Sequence, residues 1–546
     1  MTFSNELATL AGSALWQHFA ALCHDAAAVQ KQLILDLIQR NATSRFGQEH
    51  EFTTINSVSD FRLRVPLRDW SGVEPYVTAL VDGETDALTV GQPVARFIHT
   101  TGTTGTPKLI PANEATQQAS TVTMNLRLLG VLRDHPEVLQ GDILALANPA
   151  VSGHTANGIP YGTASGLALS RSPQALQQRF AYPPAVLEIS DPASRTYALL
   201  RFALERDVVL AVGNNPLNFT QLFDRIPADA ASIIADIRAG QLSTPTPLPV
   251  DLQQRLLAEL RPNPERAAAL EAAGPLSART AWPNLRLIVC WKTGLMSRFL
   301  AELAERCPPG IIFREYGYGA SEGLFTIPLH DETSAGVLAI HGLFFEFLPE
   351  EAVVASDAPT LLAHELKVGQ RYQLVLTNAA GLYRYCLGDL VEVNGFLGQA
   401  PQLIFLQKVG DVLNLLGEKL DARQVAMAMV SAQHDSGLSI RHYQWLADAA
   451  TLGYELCAEA AAIEYDAADW QTLLQRFEQH LRTLSYSYDL RRRNGQLQPP
   501  RLRLMRPGWQ VALSQRGGYQ AKPKIVGYQL PEAEYTERFI EWAVGG

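Results

Sequence analysis

The stretch Phe97-Ile98-His99-Thr100-Thr101-Gly102-Thr103-Thr104-Gly105-Thr106-Pro107-Lys108 sets hydroxylated residues and two glycines between an apolar run and a lysine. Such a loop can turn its backbone N–H groups toward one anion, with threonine hydroxyls and the Lys108 ammonium as further donors. An oligophosphate is the matching ligand. It is not a Walker A loop, because Pro107 stands where that motif needs glycine and Leu109 where it needs a hydroxyl. A second stretch, Arg314-Glu315-Tyr316-Gly317-Tyr318-Gly319-Ala320-Ser321-Glu322-Gly323, follows the apolar run Ile311–Phe313. There Tyr318 offers a flat face to a purine, and Glu322 offers a hard oxygen to Mg²⁺. The third is Gly381-Leu382-Tyr383-Arg384-Tyr385-Cys386-Leu387-Gly388-Asp389. A carboxylate after glycine can accept two hydrogen bonds from a ribose 2′,3′-diol, and Arg384 can reach a phosphate or a carboxylate. Taken singly, each stretch has a plainer reading: a Thr/Gly-rich hairpin turn, a strand-to-helix turn capped by Ser321, and an inter-strand turn with a structural ion pair.

These stretches need a scaffold to bring them together. Leu7, Leu10, Ala11, Ala14, Leu15, Phe19 and Leu22 recur at helical spacing, so the opening 40 residues read as helix. From Asp142 onward, short apolar runs (Ile143–Ala147, Val208–Val212, Leu285–Cys290, Ile311–Phe313, Tyr372–Leu376) alternate with helical segments such as Pro264–Ala273. That alternation predicts an α/β fold with buried strands. It also puts the second stretch at a strand's carboxyl end, where open α/β sheets bind ligands. The Pro-rich segment Thr244–Val250 reads as a surface connector. A boundary at Lys408–Asp411 divides a large domain, residues 1–409, from a smaller α/β domain, residues 410–546.

Composition removes several classes. With 47% hydrophobic and 18% charged residues the chain is too apolar to be disordered. No apolar run is long enough to span a bilayer, and the N-terminus lacks the basic region of a signal peptide. Five cysteines, Cys23, Cys290, Cys307, Cys386 and Cys457, form no CxxC, which argues for a reducing cytoplasm rather than a disulfide framework. The formal charge of −10 disfavours nucleic-acid binding. Against that balance, the cluster of Arg482, Arg491, Arg492, Arg493, Arg501, Arg503 and Arg506 reads as a solvated ionic face.

In order along the chain, TTGTTGTPK, YGASE and YRYCLGD follow the motif order of adenylate-forming enzymes. More narrowly, the chain resembles the GH3 acyl-acid amido synthetase family, as a bacterial-type member. Further likenesses are Val65-Pro66, Glu74-Pro75-Tyr76, Leu109-Ile110-Pro111, Trp282-Pro283-Asn284-Leu285, Trp291-Lys292-Thr293-Gly294 and Phe344-Phe345-Glu346-Phe347, so the match runs from about Leu33 to Ile525. Two features depart from plant members: a phosphate loop one residue shorter, and Cys386 where arginine is common. Both loosen any inference that the acid is a plant hormone.

The resemblance implies a large N-terminal adenylation domain, built of parallel and mixed sheets with helices and a small β subdomain, and a smaller mobile C-terminal domain. It implies an ATP- and Mg²⁺-dependent ligase. The enzyme would convert a small carboxylic acid, aromatic or cyclic, into an acyl-adenylate and pass the acyl group to an amine, an amino acid. By carry-over, Thr101, Gly102, Thr103, Thr104 and Gly105 with Lys108 would embrace the triphosphate, and Glu322 would lie near Mg²⁺. Thr293, Gly294, Tyr318, Gly319, Ala320 and Ser321 would frame adenine, Asp389 would fix the ribose, and Arg384 joins the nucleotide-binding set. Lys522 would enter the site as a catalytic residue from the smaller domain, with Lys524 as its alternative, while Lys419 reads as an ordinary exposed lysine. The helix Ala115–Leu132 and the segment Gly158–Thr163 would line the acyl pocket. The same apparatus would serve an acid–thiol ligase, and a nucleotide-binding protein without turnover is a rival of another class. No membrane or nucleic-acid partner is expected, and the oligomeric state stays open.

Overall fold

The computed structural model describes residues 14–99, 108–172, 174–293, 296–297, 299–409, 412–413, 415–416, 418, 420–461, 465–516, 526–528, 539 and 543. Contacts within the chain divide it into two compact units, the first lying within Met1–Thr100 and Lys108–Leu406 and the second within Gln407–Gly546.

The first unit is organised by a parallel sheet whose strands run in the order Asp142–Ala145, Val208–Val212, Leu287–Cys290 and Ile312–Glu315. Their apolar runs are continuous rather than alternating because helices cover both faces of such a sheet. Those helices are set by local signals. Asn113 and Thr116 form a reciprocal cap at the start of Glu114–Asp134. Asp191 accepts the Ser194 N–H at the start of Pro192–Ala203, and Pro216–Ala239 opens on a proline and closes on the left-handed Gly240. Each cap contributes about 1 kcal/mol, so they fix where helices begin while packing supplies the stability. Trp282, fully buried, donates its indole N–H to Ala203 O at 3.0 Å and so joins the strand-bearing region to a covering helix.

A second layer holds a seven-stranded sheet in the order Thr326–Pro328, Gly336–Leu338, Ala400–Lys408, Tyr385–Leu397, Arg371–Asn378, Leu343–Pro349, Leu361–Leu362. Here Arg371–Asn378 pairs antiparallel with both neighbours. The run Tyr372–Leu376 is thus a strand, as its composition predicts, but it belongs to this sheet and not to the parallel one. It is buried on both faces, so its apolar run looks the same as that of a parallel strand. A four-stranded sheet in the order Leu109–Ala112, Arg96–His99, Pro160–Gly162, Gly153–His154 brings the phosphate-loop lysine to the first unit.

The second unit has its own sheet, in the order Arg501–Leu504, Gly453–Ala460, Ile440–Asp448, Val526–Tyr528, with the helices Ala422–Ser436 and Ala467–Leu484 packed together. Its core is aromatic: Trp445 stacks on Tyr454 at 5.1 Å and meets Phe477 edge-on. The arginine-rich stretch is an ionic face. Arg482 and Arg493 share Asp489, Arg492 pairs with Glu478, Arg501 with Asp448 and Arg503 with Glu455. Among the described residues no helix is long and apolar enough to cross a membrane.

Candidate active site

Asp389 owes its position to an irregularity in the seven-stranded sheet. The register between Arg371–Asn378 and Tyr385–Leu397 shifts from Gln373↔Leu390 to Val375↔Cys386, leaving Leu387, Gly388 and Asp389 opposite a single residue. Gly388 absorbs the bulge in the left-handed region at φ +70°, a conformation most side chains resist. A bulge re-aims the next side chain, and Asp389 is delivered to a buried place where the Tyr318 hydroxyl donates to its Oδ2 at 2.7 Å. Burial, and then the negative charge of Asp389, pushes the Tyr318 phenol far up, so Tyr318 is a permanent donor. Its ring stacks on Phe405 at 5.2 Å and meets Phe325 edge-on at 4.9 Å. One residue of the second stretch therefore holds the acid of the third.

Tyr318 stands just before the short hairpin Gly319–Ala320/Gly323–Leu324, with Ser321 and Glu322 at its turn. Ser321 caps no helix: the chain turns straight back into strand pairing, which overturns the strand-to-helix reading of this stretch. Glu322 is buried, and its backbone carbonyl accepts the Asn378 side-chain amide at 3.2 Å. The Tyr385 hydroxyl is raised by burial first and then by the charges of Glu322, Asp389 and Asp69, and the Tyr385 backbone bridges to Arg68, the residue before Asp69. Asp69 in turn caps the helix Trp70–Val81. It is held below the ordinary carboxylate range chiefly by the Ser71 hydroxyl, with the Gly72 and Ser71 N–H groups and the Lys108 charge assisting. The Lys108 ammonium lies 5.4 Å from the centre of the Trp70 ring. Contacts thus link Lys108 to Trp70, beside Asp69, and the adjacent Arg68 to Tyr385, four residues before Asp389, which Tyr318 holds. Thr101, Gly102, Thr103, Thr104, Gly105, Gly294, Lys419, Lys522 and Lys524 lie outside the described residues.

Sequence reasoning missed two residues that shape this region. Glu315, buried at the end of its parallel strand, accepts the Lys292 N–H on Oε2 at 2.8 Å and the Gly317 N–H on Oε1 at 3.0 Å. Arg127, from the middle of Glu114–Asp134, donates to Tyr318 O at 3.0 Å and Thr326 O at 2.9 Å. Burial lowers its guanidinium to about 10, which keeps it charged at neutral pH. Neither carries a local signal: one is a strand-end acid, the other an arginine within a helix of mixed polar and apolar residues.

Gly317, at φ +102°, is the residue that lets Arg127 in, since a Cβ there would sit 2.6 Å from the guanidinium carbon. Gly317→Ala adds that clash to a strained backbone, worth together about 2–3 kcal/mol. The variant is expected to melt at lower urea concentration than the parent. Equal midpoints would mean that Arg127 is not fixed beside this turn.

Arg384 requires a correction. It is 1% exposed, and every N–H of its guanidinium is committed inside the protein. Nε and Nη2 bind Glu346 at 3.0 Å each, Nη1 binds the carbonyls of Arg62 and Val65 at 2.9 and 2.8 Å, and Nη2 also reaches Thr360 Oγ1. The carboxylate it meets is internal, so no donor is left for a nucleotide phosphate.

Models of three successive domains match the chain: the GH3 family N-terminal domain over residues 15–310, the GH3 family central domain over 336–408 and the GH3 family C-terminal domain over 423–525. Among curated proteins, a jasmonoyl–L-amino acid synthetase of Oryza sativa subsp. japonica is 27% identical over 450 residues, covering 76% of each chain. An indole-3-acetic acid-amido synthetase of Oryza sativa subsp. indica is 26% identical, covering 74% of this chain and 70% of its own. Among solved structures, an acyl acid amido synthetase superposes with a TM-score of 0.85 at 20% identity, covering 98% and 96% of the two chains. A 2-hydroxyisobutyryl-CoA ligase superposes at 0.55 with 14% identity, covering 94% and 91%. At those identities the superpositions speak for the fold.

Proposed function

The chain belongs to the GH3 family, and on that premise we propose that it is an ATP-dependent ligase that activates a carboxylic acid as an acyl-adenylate and joins the acyl group to an amine. The observation that carries this reading is the Tyr318–Asp389 hydrogen bond, which unites two of the three nucleotide motifs in one buried place; the lysine of the third lies over Trp70, at the helix that Asp69 caps.

A carboxylate repels nucleophiles through its charge and resonance, and exchange of pyrophosphate for the acid makes a mixed anhydride whose AMP leaves readily. The protein's task is to align the acid with the α-phosphorus and to offset charge on the departing pyrophosphate. Lys108 suits that second task as a mobile point charge. Asp389, oriented by Tyr318, suits the ribose diol. Glu322, buried at the turn of the Gly319–Ala320/Gly323–Leu324 hairpin, offers one carboxylate, which fits an ion that would arrive with the nucleotide. Glu322 is the proposed ligand, and Mg²⁺ bound there would neutralise charge on the phosphates. Thr101 to Gly105, Thr293, Gly294, Gly319, Ala320 and Ser321 complete the proposed nucleotide site. The same proposal divides the chain at 409/410 and gives Lys522, from residues 410–546, a place in catalysis.

One relative's name pairs a jasmonoyl group with an L-amino acid, and another's pairs indole-3-acetic acid with amido synthesis. By similarity the acid is aromatic or cyclic and the amine an amino acid. The cysteines are free thiols, four of them buried, which suits the cytoplasm as the proposed location.

Amine-free ATP–pyrophosphate exchange, screened over aromatic and alicyclic acids, tests the first half-reaction; a folded protein silent with every acid would count against it. Offering amino acids and coenzyme A in the same assay then separates amide from thioester formation. Lys522→Ala is expected to slow exchange by about 100-fold, the scale for losing one donor to developing charge, and Lys524→Ala by far less. The reverse order would move the role to Lys524.

A further inference from the structure

We infer that Glu315 is a positioning residue for the nucleotide, setting the two turns that would frame its base. This inference rests on the ligase reading above. The turn Trp291-Lys292-Thr293 leaves the strand Leu287–Cys290, and Tyr316-Gly317-Tyr318 leaves its parallel neighbour Ile312–Glu315. Beyond the last ladder partner, Cys290↔Glu315, and the Tyr316 N–H bond to Cys290 O, parallel pairing does not dictate how far the departing loops diverge. Glu315 supplies the missing constraint, because its two carboxylate oxygens take one N–H from each turn.

The surrounding contacts hold the same two turns without duplicating that role. Trp291 N–H donates to Asn214 O at 2.8 Å and Tyr316 N–H to Cys290 O at 2.9 Å. The Lys292 ammonium donates to the Asp331 carbonyl. Asp331 is itself tied through its carboxylate to Arg314 at 2.8 Å and His135 at 2.6 Å. Two of these links also cross between the segments, Tyr316 to Cys290 and Lys292 through Asp331 to Arg314; of these side chains, Glu315 is the one that takes an N–H from both turns. Burial raises the Glu315 carboxyl, and the Lys292 and Gly317 N–H groups, then the Arg127 and Lys292 charges, oppose that rise.

Glu315→Gln keeps the size but gives one turn an N–H facing an N–H. Losing one hydrogen bond to a buried charge corresponds to about 10- to 100-fold. In pyrophosphate exchange, the KM for ATP is expected to rise by that factor, with the maximal rate within about threefold and the KM for the acid unmoved. Glu315→Asp, whose shorter reach cannot span both turns, should show the same split and serves if the glutamine variant does not fold. A folded variant with lowered thermal stability but an unaltered KM for ATP overturns the inference. Equal losses in rate and in the KM for the acid overturn it as well. Parent enzyme without exchange would instead fault the ligase reading, so the two failures are distinguishable.

Discussion

Asp389→Asn is expected to lower kcat/KM for ATP by about 10²–10³-fold without unfolding the protein. The substitution is nearly isosteric, so the bulge at Gly388 and the burial of the side chain persist. What changes is charge and acceptor capacity. A carboxylate accepts from Tyr318 and retains lone pairs for vicinal hydroxyls, whereas an amide turns one end into a donor. Two hydrogen bonds to a charged acceptor correspond to about 3–4 kcal/mol, hence the magnitude. Tyr318→Phe removes only the orienting donor and should cost about tenfold. The sharper measurement compares ATP with 2′-deoxy-ATP. The parent should prefer ATP, and Asp389→Asn should lose most of that preference. Equal ATP affinity in parent and variant would refute the ribose assignment.

Much of this arrangement was legible in the sequence because its signals are local. The strands Val208–Val212 and Leu287–Cys290 declare themselves through short, fully apolar runs between helical segments. The long helix Glu114–Asp134 is legible within two residues at each end of Ala115–Leu132. Asp389 stands out because glycine precedes a carboxylate, and that glycine is what the bulge requires. The illegible parts depend on distance. Arg384 and Glu346 are 38 residues apart, and their contact arises only when the sheet sets the start of Tyr385–Leu397 one strand away from Leu343–Pro349, with Arg371–Asn378 between them. Isolated in sequence, an arginine in a nucleotide motif reads as a phosphate ligand; its burial and its partner decide otherwise. Glu315 and Arg127 are hidden for the same reason, since each binds at least one backbone group supplied by another segment. Tyr372–Leu376 reads as a buried strand, but its sheet is not legible, because burial on both faces erases the alternation that marks an antiparallel strand.

Arg384→Met is the variant expected to cost the most stability, about 3–5 kcal/mol, because it strands a buried carboxylate. Glu346 is 1% exposed and would keep only Arg62 Nε at 3.1 Å and the Thr360 hydroxyl, while the carbonyls of Arg62 and Val65 would lose their shared donor. The backbone adds to the cost. Arg384 sits at φ +47°, a left-handed conformation uncommon for a long side chain, and the anchored guanidinium offsets that strain. The turn it secures also passes its backbone carbonyl to Arg68 N–H at 3.1 Å, beside the segment that leads to Asp69. Urea unfolding of Arg384→Met, Glu346→Gln and the double variant would measure the pair, with the double expected to lose less than the sum of the singles because neither charge is then left alone. Two different roles make opposite demands on ATP affinity. An internal ion pair predicts that whatever Arg384→Met protein remains folded binds ATP within about threefold of the parent, since nearly all its interactions are with the protein itself. A phosphate ligand would lose affinity by tenfold or more while stability changed little, and that outcome would return Arg384 to the nucleotide site.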